Sequence, residues 1–298
     1  MNALLLIAVC FLLGIACARV GRLPEGLPQS LNWWVLNVAL PALVLNLIPR
    51  MHFNSQLWFL VVAMWFVFLG AWLLMAGLGR FLGWSRARIG ALILVAGLGN
   101  TAFTGYPLIE ALRGQEALTL AVVADQLGCF LALAVGGIAA AAAYSGTSSD
   151  AKATVRRVLT FPPFQALILS VAVLFLGGWP APLQAVLERL GDTLAPVALF
   201  SIGLQFSLQL SRSQFGAVAV ALGWKLVTAP LLVLLFGITV GIHGAVLAVG
   251  VLQAGMSPMI SSAILADQYG LDPKVAHASL GAGILISLVT VPMFNVLV

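Results

Sequence analysis

The feature that most constrains this chain is a series of ten apolar runs, each about as long as a membrane-spanning helix. A helix needs about 20 largely apolar residues to cross the hydrocarbon core of a bilayer. The runs cover residues 2–18, 26–48, 57–78, 89–109, 117–144, 161–178, 193–210, 215–240, 242–266 and 275–298. They are too long, and alternate too little, for the strands of a membrane barrel. The sequence therefore predicts an all-α membrane protein with ten transmembrane helices.

The few charges support this prediction. Charged residues make up 8% of the chain, against about 25% in a typical soluble domain. The formal net charge of +5 comes from cations scattered singly between the apolar runs, whereas a nucleic-acid surface clusters them on one face. We therefore expect the lipid bilayer, and no nucleic acid, as a partner. No cation precedes the first run, so we expect a retained membrane helix rather than a cleaved signal peptide.

The cations between the runs predict the orientation, because cytoplasmic loops carry an excess of Lys and Arg. Connections after even-numbered runs contain three cations, Arg50, Arg113 and Arg189. Connections after odd-numbered runs contain ten, namely Arg19, Arg22, Arg80, Arg86, Arg88, Lys152, Arg156, Arg157, Arg212 and Lys274. We therefore expect the odd-numbered connections to be cytoplasmic and both termini to lie outside. The predicted location is the bacterial inner (cell) membrane.

Paired prolines indicate that the chain repeats itself. Pro41 in the second run and Pro196 in the seventh lie 155 positions apart, and Pro107 and Pro258 lie 151 apart. We predict a first repeat at residues 1–144, a polar cytoplasmic linker at 145–160 and a second repeat at 161–298. Each repeat has five helices. Because that number is odd, the second copy enters the membrane from the opposite side, an inverted arrangement that recurs in secondary transporters.

Polar breaks interrupt the fourth and ninth runs, at residues 97–107 and 253–258. Proline removes a backbone donor, and freed backbone groups are tolerated at membrane depth only where protein or a polar cavity satisfies them. We therefore expect a substrate site at the breaks, and an ordinary proline kink is the alternative. Seven candidate binding residues lie at the breaks: Asn100, Thr101, Thr104, Pro107, Gln253, Ser257 and Pro258.

Two charged residues lie deep inside predicted membrane helices, Asp125 in the fifth run and Lys225 in the eighth. A charge at the bilayer centre costs about 3 kcal/mol on insertion scales, so such residues are often functional. Lys225 has three interpretations: a structural pair with Asp125, an extension to the membrane interface, or a role in anion binding and coupling. For Asp125 we keep structural pairing and a cavity function as alternatives.

Sequence patterns of enzymes are missing. The chain has no GxxxxGK[ST] phosphate loop, no HExxH and no GxSxG, the motifs of nucleotide hydrolysis, zinc proteolysis and serine hydrolysis. The cysteines Cys10, Cys17 and Cys129 lie in apolar runs without CxxC spacing. We expect neither catalysis nor a metal or cofactor.

The chain resembles the auxin efflux carrier family of membrane transporters, in its bacterial branch. The resemblance spans the chain and rests on residues 40–43 (LPAL), 100–107 (NTAFTGYP), 195–203 (APVALFSIG) and Ser257-Pro258. It implies two inverted five-helix repeats, broken helices four and nine that cross near mid-membrane, and a scaffold of helices one, two, six and seven. It also implies a small organic anion as substrate and often a homodimer. The ninth run departs from the pattern, because no asparagine stands beside Ser257-Pro258.

Bile-acid sodium symporters look like the same architecture, but they carry an acidic residue beside the ninth-helix break. Here that neighbourhood has Gln253 and Ser257, and Lys225 is available to take the electrostatic role of sodium. The leading hypothesis is a secondary carrier of small mono- or dicarboxylates, proton-coupled or driven by the membrane potential, that works by alternating access. The alternatives are a sodium-coupled symporter of the bile-acid type, an anion channel and a membrane receptor without transport.

Overall fold

Regular structure in the described residues is helical, in 14 helices. The computed structural model describes residues 2–21, 23–51, 55–146, 151–206 and 211–298. In chain order the helices are α1 (Asn2–Val20), α2 (Leu27–Arg50), α3 (Trp58–Phe81), α4 (Arg86–Gly97), α5 (Gly105–Arg113), α6 (Glu116–Ser145), α7 (Ala151–Thr160), α8 (Pro162–Phe175), α9 (Ala181–Asp192), α10 (Leu194–Leu204), α11 (Arg212–Thr239), α12 (Gly244–Ala254), α13 (Ile260–Gln268) and α14 (Pro273–Leu297).

Five of these helices, α2, α3, α6, α11 and α14, are long and apolar enough to cross a membrane. Three shorter apolar stretches lie in α1, α8 and α12. The coarse prediction of an all-helical membrane protein is therefore confirmed. The ten crossings and the inverted repeat stay predictions. The order of helices does recur along the chain, since the broken pair α4 and α5 and the broken pair α12 and α13 each lie between two long helices.

The structure corrects the prediction around residues 175–192, and some predicted residues lie outside the described part of the chain. The sixth run was expected to reach residue 178, but α8 ends at Phe175, and Gly177 and Gly178 both have positive φ, at 91° and 93°. The residues between the sixth and seventh runs were expected to be a plain connection. They form α9, an amphipathic helix whose apolar residues make no long run. Arg22, residues 147–150 of the linker and residues 207–210 of the seventh run lie outside the described residues.

The helices form two compact units that do not coincide with the predicted halves. Unit 1 consists of Met1–Asn54, Ala102–Val122 and Arg156–Phe206, and unit 2 of Ser55–Thr101, Val123–Val155 and Ser207–Val298. Unit 1 thus holds α1, α2, α8 and α10, which are the helices of the runs that the resemblance assigns to a scaffold, together with α5 and α9. Compact units do not test a sequence repeat, so the division at residues 145–160 stays a prediction.

In unit 1, α1 and α10 cross at a pair of glycines. A β-carbon built on Gly203 would meet the Phe11 carbonyl oxygen and lie 3.0 Å from Gly14 Cα, and one built on Gly14 would lie 2.9 Å from Gly203 Cα. The two backbones therefore touch without intervening side chains. Close approach at small residues is a recurrent way to pack helices in membranes, where lipid offers no hydrophobic drive for association.

Unit 1 also supplies partners for carbonyls near a proline in α2. Pro49 has no N–H, so it leaves the Leu45 carbonyl without its usual helical donor. The Trp179 indole donates to Leu45 O at 2.8 Å, and Ser170 Oγ donates to Val44 O at 3.2 Å. The Trp179 indole thus replaces the donor that Pro49 removes, and Ser170 adds a bond to the neighbouring carbonyl.

In unit 2, the segments that interrupt the two broken helices pair with each other. Asn100 N donates to Ser257 O at 2.7 Å and Met259 N donates to Leu98 O at 3.0 Å, which forms an isolated antiparallel bridge between Gly99 and Pro258. α14 packs against this bridge at Gly283, where an added β-carbon would collide with the Pro258 ring. The backbone groups freed by the two breaks thus satisfy each other.

Candidate functional site

Both deep charges lie in widened helical turns. Asp125 lies in a π-helical turn of α6, Ala124–Cys129, and Lys225 in a π-helical turn of α11, Trp224–Thr228. Pro230 follows the second turn and has no N–H to donate to the Leu226 carbonyl. Ala229 N donates to Trp224 O, which is five residues back and not the four of an α-helix. Such π turns frequently occur at functional sites. Here they place the charged side chains at the level of the broken segments.

The Lys225 ammonium group lies against the broken segments of unit 2. Its Nζ donates to the Ala254 carbonyl at 3.0 Å, and a β-carbon on Gly99 would lie only 2.8 Å from Nζ. Ala254 is the last residue of α12, so the cation meets the negative end of the helix dipole. The interpretation that Lys225 extends to the membrane interface is wrong, because only 1% of the residue is exposed.

Asp125 accepts hydrogen bonds from two neighbouring side chains. Thr101 Oγ1 donates to Asp125 Oδ1, and Gln126 Nε2 donates to Asp125 Oδ2 at 2.7 Å. The residue is 3% exposed. Since a buried polar group is costly unless it is hydrogen-bonded, these donors offset the cost of burying the Asp125 oxygens. A pairing of Asp125 with Lys225 stays an open alternative.

Gln253 forms a further link between the two broken segments. Its Nε2 donates to the Thr101 carbonyl at 3.2 Å, and the residue is completely buried. Among the described residues, the buried oxygens Gln253 Oε1 and Gln126 Oε1 accept no hydrogen bond. A buried acceptor left unsatisfied costs about 1–3 kcal/mol, so both oxygens are available to a donor on a bound molecule.

Seven of the nine predicted site residues therefore lie in unit 2, around the bridge and the two charges. Thr104 and Pro107 lie in unit 1, where Thr104 O accepts from Leu108 N at 3.1 Å. The break was expected to extend to Pro107, but α5 already begins at Gly105. Proline is tolerated in the first turn of a helix, where its missing N–H has no helical partner, so Pro107 starts a helix instead of interrupting one.

Three further residues contribute to the site and were not predicted from the sequence: Gly99, Gln126 and Cys129. Gly99 gives room to Nζ, Gln126 donates to Asp125, and Cys129 Sγ donates to Gly99 O at 3.2 Å. Gln126 stands directly beside Asp125 in an apolar run, a signal that would have identified it. Cys129 lies four residues after Asp125 on the same helix, but a lone cysteine in an apolar run gives no such signal.

Unit 1 contains a separate cleft with two carboxylates. Glu110 on α5 and Asp192 at the end of α9 line it together with Tyr106, Pro107 and Leu43. Burial raises the pKa of Glu110 above its ordinary value, and the nearby Asp192 raises it further. Burial also raises the pKa of Asp192, with a second contribution from Glu188. The cleft therefore disfavours the ionised carboxylates.

This cleft predicts a pH-dependent stability. Because the pKa of Glu110 is raised in the folded protein, folding loses stability as the pH rises through the range just above the ordinary value of 4.5. Glu110→Gln is expected to raise the melting temperature near pH 7 and to leave it unchanged at about pH 4, where Glu110 is protonated. Thermal unfolding in detergent measures the difference. Glu25→Gln, at an exposed position, is the control, and an equal effect of both variants at pH 7 would contradict the prediction.

Comparison with known proteins gives one family and several relatives. The family model described as "Membrane transport protein" matches residues 1–151 and 146–295. An uncharacterized transporter from Methanothermobacter thermautotrophicus is 26% identical over 99% of this chain and 97% of its own. A protein from Rhizobium meliloti named as a proposed malonate transporter is 27% identical over 94% and 89%. Auxin efflux carrier component 5 of Arabidopsis thaliana is 25% identical over 64% and 65%.

Proposed function

Since the chain belongs to the membrane transport protein family, we propose that it is a secondary carrier of small mono- or dicarboxylates that works by alternating access. Membership makes the chain a multi-pass membrane transport protein and not an enzyme. It also places the chain among relatives of the auxin efflux carriers. The resemblance inferred from the residue motifs is therefore confirmed at the level of the family. The substrate class, coupling and mechanism are parts of the proposal.

The observation that carries the proposal is the buried Lys225 ammonium beside the paired breaks. A cation enclosed in an apolar surround attracts an anion strongly, because little water screens the interaction. Lys225 has its hydrogen bond to Ala254 O on one side. Gly99, which has no β-carbon, lets the backbone of the fourth-helix break approach Nζ closely. A carboxylate of a substrate is the natural partner for such a group.

The surrounding polar groups fit a carboxylic acid. α13 begins just after the bridge, and the first turn of a helix favours negative charge. The free Gln253 Oε1 and Gln126 Oε1 accept hydrogen bonds from a hydroxyl or from a protonated carboxyl. Malonate- or malate-like acids have a carboxylate and a second group that can donate a hydrogen bond. An aromatic acid has the carboxylate alone. The relative from Rhizobium meliloti, named for malonate, supports the dicarboxylate.

For the coupling, we propose protons or the membrane potential. The ninth-helix break has Gln253 and Ser257 in place of an acidic residue. The ammonium group of Lys225 takes the electrostatic role that a bound sodium ion has in a sodium-coupled symporter. A buried lysine can also release and regain a proton during transport. A sodium-coupled symporter would instead need acidic ligands at this break.

The membrane arrangement completes the proposal. Two five-helix repeats of opposite orientation, residues 1–144 and 161–298, would bring the broken helices together from opposite sides. The recurring order of long and broken helices supports this arrangement. We further propose that both termini lie outside the bacterial inner membrane and that the protein forms a homodimer.

Transport by purified protein in liposomes tests the function. We expect uptake of labelled malonate or malate that saturates and is accelerated by unlabelled substrate on the other side. Asn100→Ala, which removes a buried amide beside the bridge, is expected to lower this counterflow about tenfold. Asn37→Ala on α2, where the amide donates to Trp33 O one turn earlier in the same helix, is the matched control.

The same assay separates the alternatives. Fast flux without saturation or counterflow would identify a channel, and binding without flux would identify a receptor. Uptake that needs sodium at constant pH would overturn proton coupling in favour of a symporter. Counterflow unchanged in Asn100→Ala would remove the proposed site.

A further inference from the structure

The helix α7, which lies between the fifth and sixth predicted membrane segments, has an unusual pattern. Val155, Val158 and Leu159 recur at the i, i+3 and i+4 spacing that places apolar side chains on one helical face. Val155 is 58% exposed and Leu159 52% exposed. In the described part of the chain, α7 packs extensively against no other helix. Val155 and Leu159 are thus largely uncovered by the described residues, and Val158 is partly covered.

The chain holds α7 next to the end of a membrane helix. Phe161 alone separates α7 from α8, and its extended conformation, with φ −73° and ψ 118°, turns the chain between them. Gln165 Nε2 in the first turn of α8 donates to the Leu159 carbonyl at 3.0 Å and fixes this corner. Because α8 is one of the apolar helices, this corner places the C-terminal end of α7 beside the end of a predicted membrane segment. α7 does not continue the axis of α8.

The charge of α7 is uniformly positive. Its sequence, AKATVRRVLT, contains Lys152, Arg156 and Arg157 and no acidic residue. Thr160 Oγ1 donates to the Arg156 carbonyl at 2.8 Å and strengthens the last turn. A short helix with aliphatic residues on one face and cations beside them is typical of helices that lie in the bilayer interface. Anionic lipid headgroups attract such cations from within a Debye length.

We propose that α7 binds the surface of the bilayer that contains the protein, on its anionic phospholipids. Val155, Val158 and Leu159 enter the boundary between headgroups and acyl chains, and the net positive charge of the helix attracts lipid phosphates. The lipid surface is favoured over a protein partner because the corner at Phe161 brings it within reach of a helix whose charge complements it. The contact ties the connection between the two halves of the chain to the lipid composition.

Fluorescence quenching by lipid tests the proposal. A coumarin amino acid is placed at position 159 or, as the matched control on the same helix, at the exposed position of Ala153. The full chain is reconstituted in phosphatidylcholine alone or with an equal part of phosphatidylglycerol, and brominated phosphatidylcholine serves as the quencher. We expect quenching at position 159 to exceed that at position 153 about threefold, and to increase with phosphatidylglycerol.

Charge variants give the second readout. Each cation is expected to contribute about fivefold to the ratio of lipid-bound to free helix, so K152Q/R156Q/R157Q should abolish the effect of phosphatidylglycerol on the label at position 159. The control R212Q/K274Q removes exposed cations outside α7 and should retain the effect. Equal quenching at positions 159 and 153, or quenching that ignores phosphatidylglycerol, would overturn the proposal. Crosslinking of α7 to a second chain without quenching would overturn it in favour of a protein contact.

Discussion

Carboxylate counterflow is expected to fall about 100-fold when Lys225 is replaced by methionine, because removal of one partner of a buried, hydrogen-bonded charge pair costs about 2–5 kcal/mol. Methionine keeps the length and the apolar stem of the side chain. It gives up only the hydrogen bond to Ala254 O and relieves the cost of a buried charge, so the protein should stay folded. Initial rates in liposomes, with the amount of folded protein checked by size exclusion, measure the effect.

Two further variants show whether charge alone is enough. Lys274→Met makes the same chemical change at an exposed position in the first turn of α14 and should leave counterflow unchanged. Lys225→Arg keeps the charge, but Gly99 lies so close to Nζ that the wider guanidinium has no room, and we expect it to restore little transport. Full counterflow in Lys225→Met would contradict the role of the ammonium and leave the assignment to a transport family intact.

The second large effect is expected on stability, from Gly203→Val at the crossing of α1 and α10. The new side chain would meet the Phe11 carbonyl and lie against the backbone of Gly14, and backbone cannot rotate away as a side chain can. Overpacking of this kind costs about 3 kcal/mol. We expect the melting temperature in detergent to fall by roughly 5–10 °C.

Gly77→Val on α3 is the matched control, because it makes the same substitution inside a helix. A β-carbon at Gly77 has nothing within 4 Å, so only the small difference in helix propensity remains. A loss of stability in Gly77→Val as large as that in Gly203→Val would contradict the assignment of the effect to the crossing. An unchanged melting temperature in Gly203→Val would show that α1 and α10 can separate without cost.

The sequence predicted those parts of the site that depend on chemical contrast along the chain. Asp125 and Lys225 are conspicuous because a charge inside an apolar run is costly, and the breaks are conspicuous because glycine, proline and polar residues cluster there. The helices themselves follow from runs whose length matches the bilayer. These signals are local, and they need no knowledge of which helices pack together.

Contacts between distant segments could not be predicted in the same way. The partner of Lys225 is a backbone carbonyl, at Ala254, and every residue has one. The room beside Nζ is made by Gly99, one of 30 glycines. The helix α9 was overlooked because its apolar residues occupy one face and never form a long run. Each compact unit is built from three separate segments of the chain. Which segments join depends on packing between distant residues, and the order of residues along the chain says little about that.

The bridge between Gly99 and Pro258 also has a mechanical consequence. Its two hydrogen bonds, Asn100 N to Ser257 O and Met259 N to Leu98 O, run in opposite directions between the segments. A slide of α4 past α12 would break both at once, in a surround where each lost bond costs several kcal/mol. The bridge thus ties the ends of α4, α12 and α13 together, so we expect these ends to move together when the protein changes conformation.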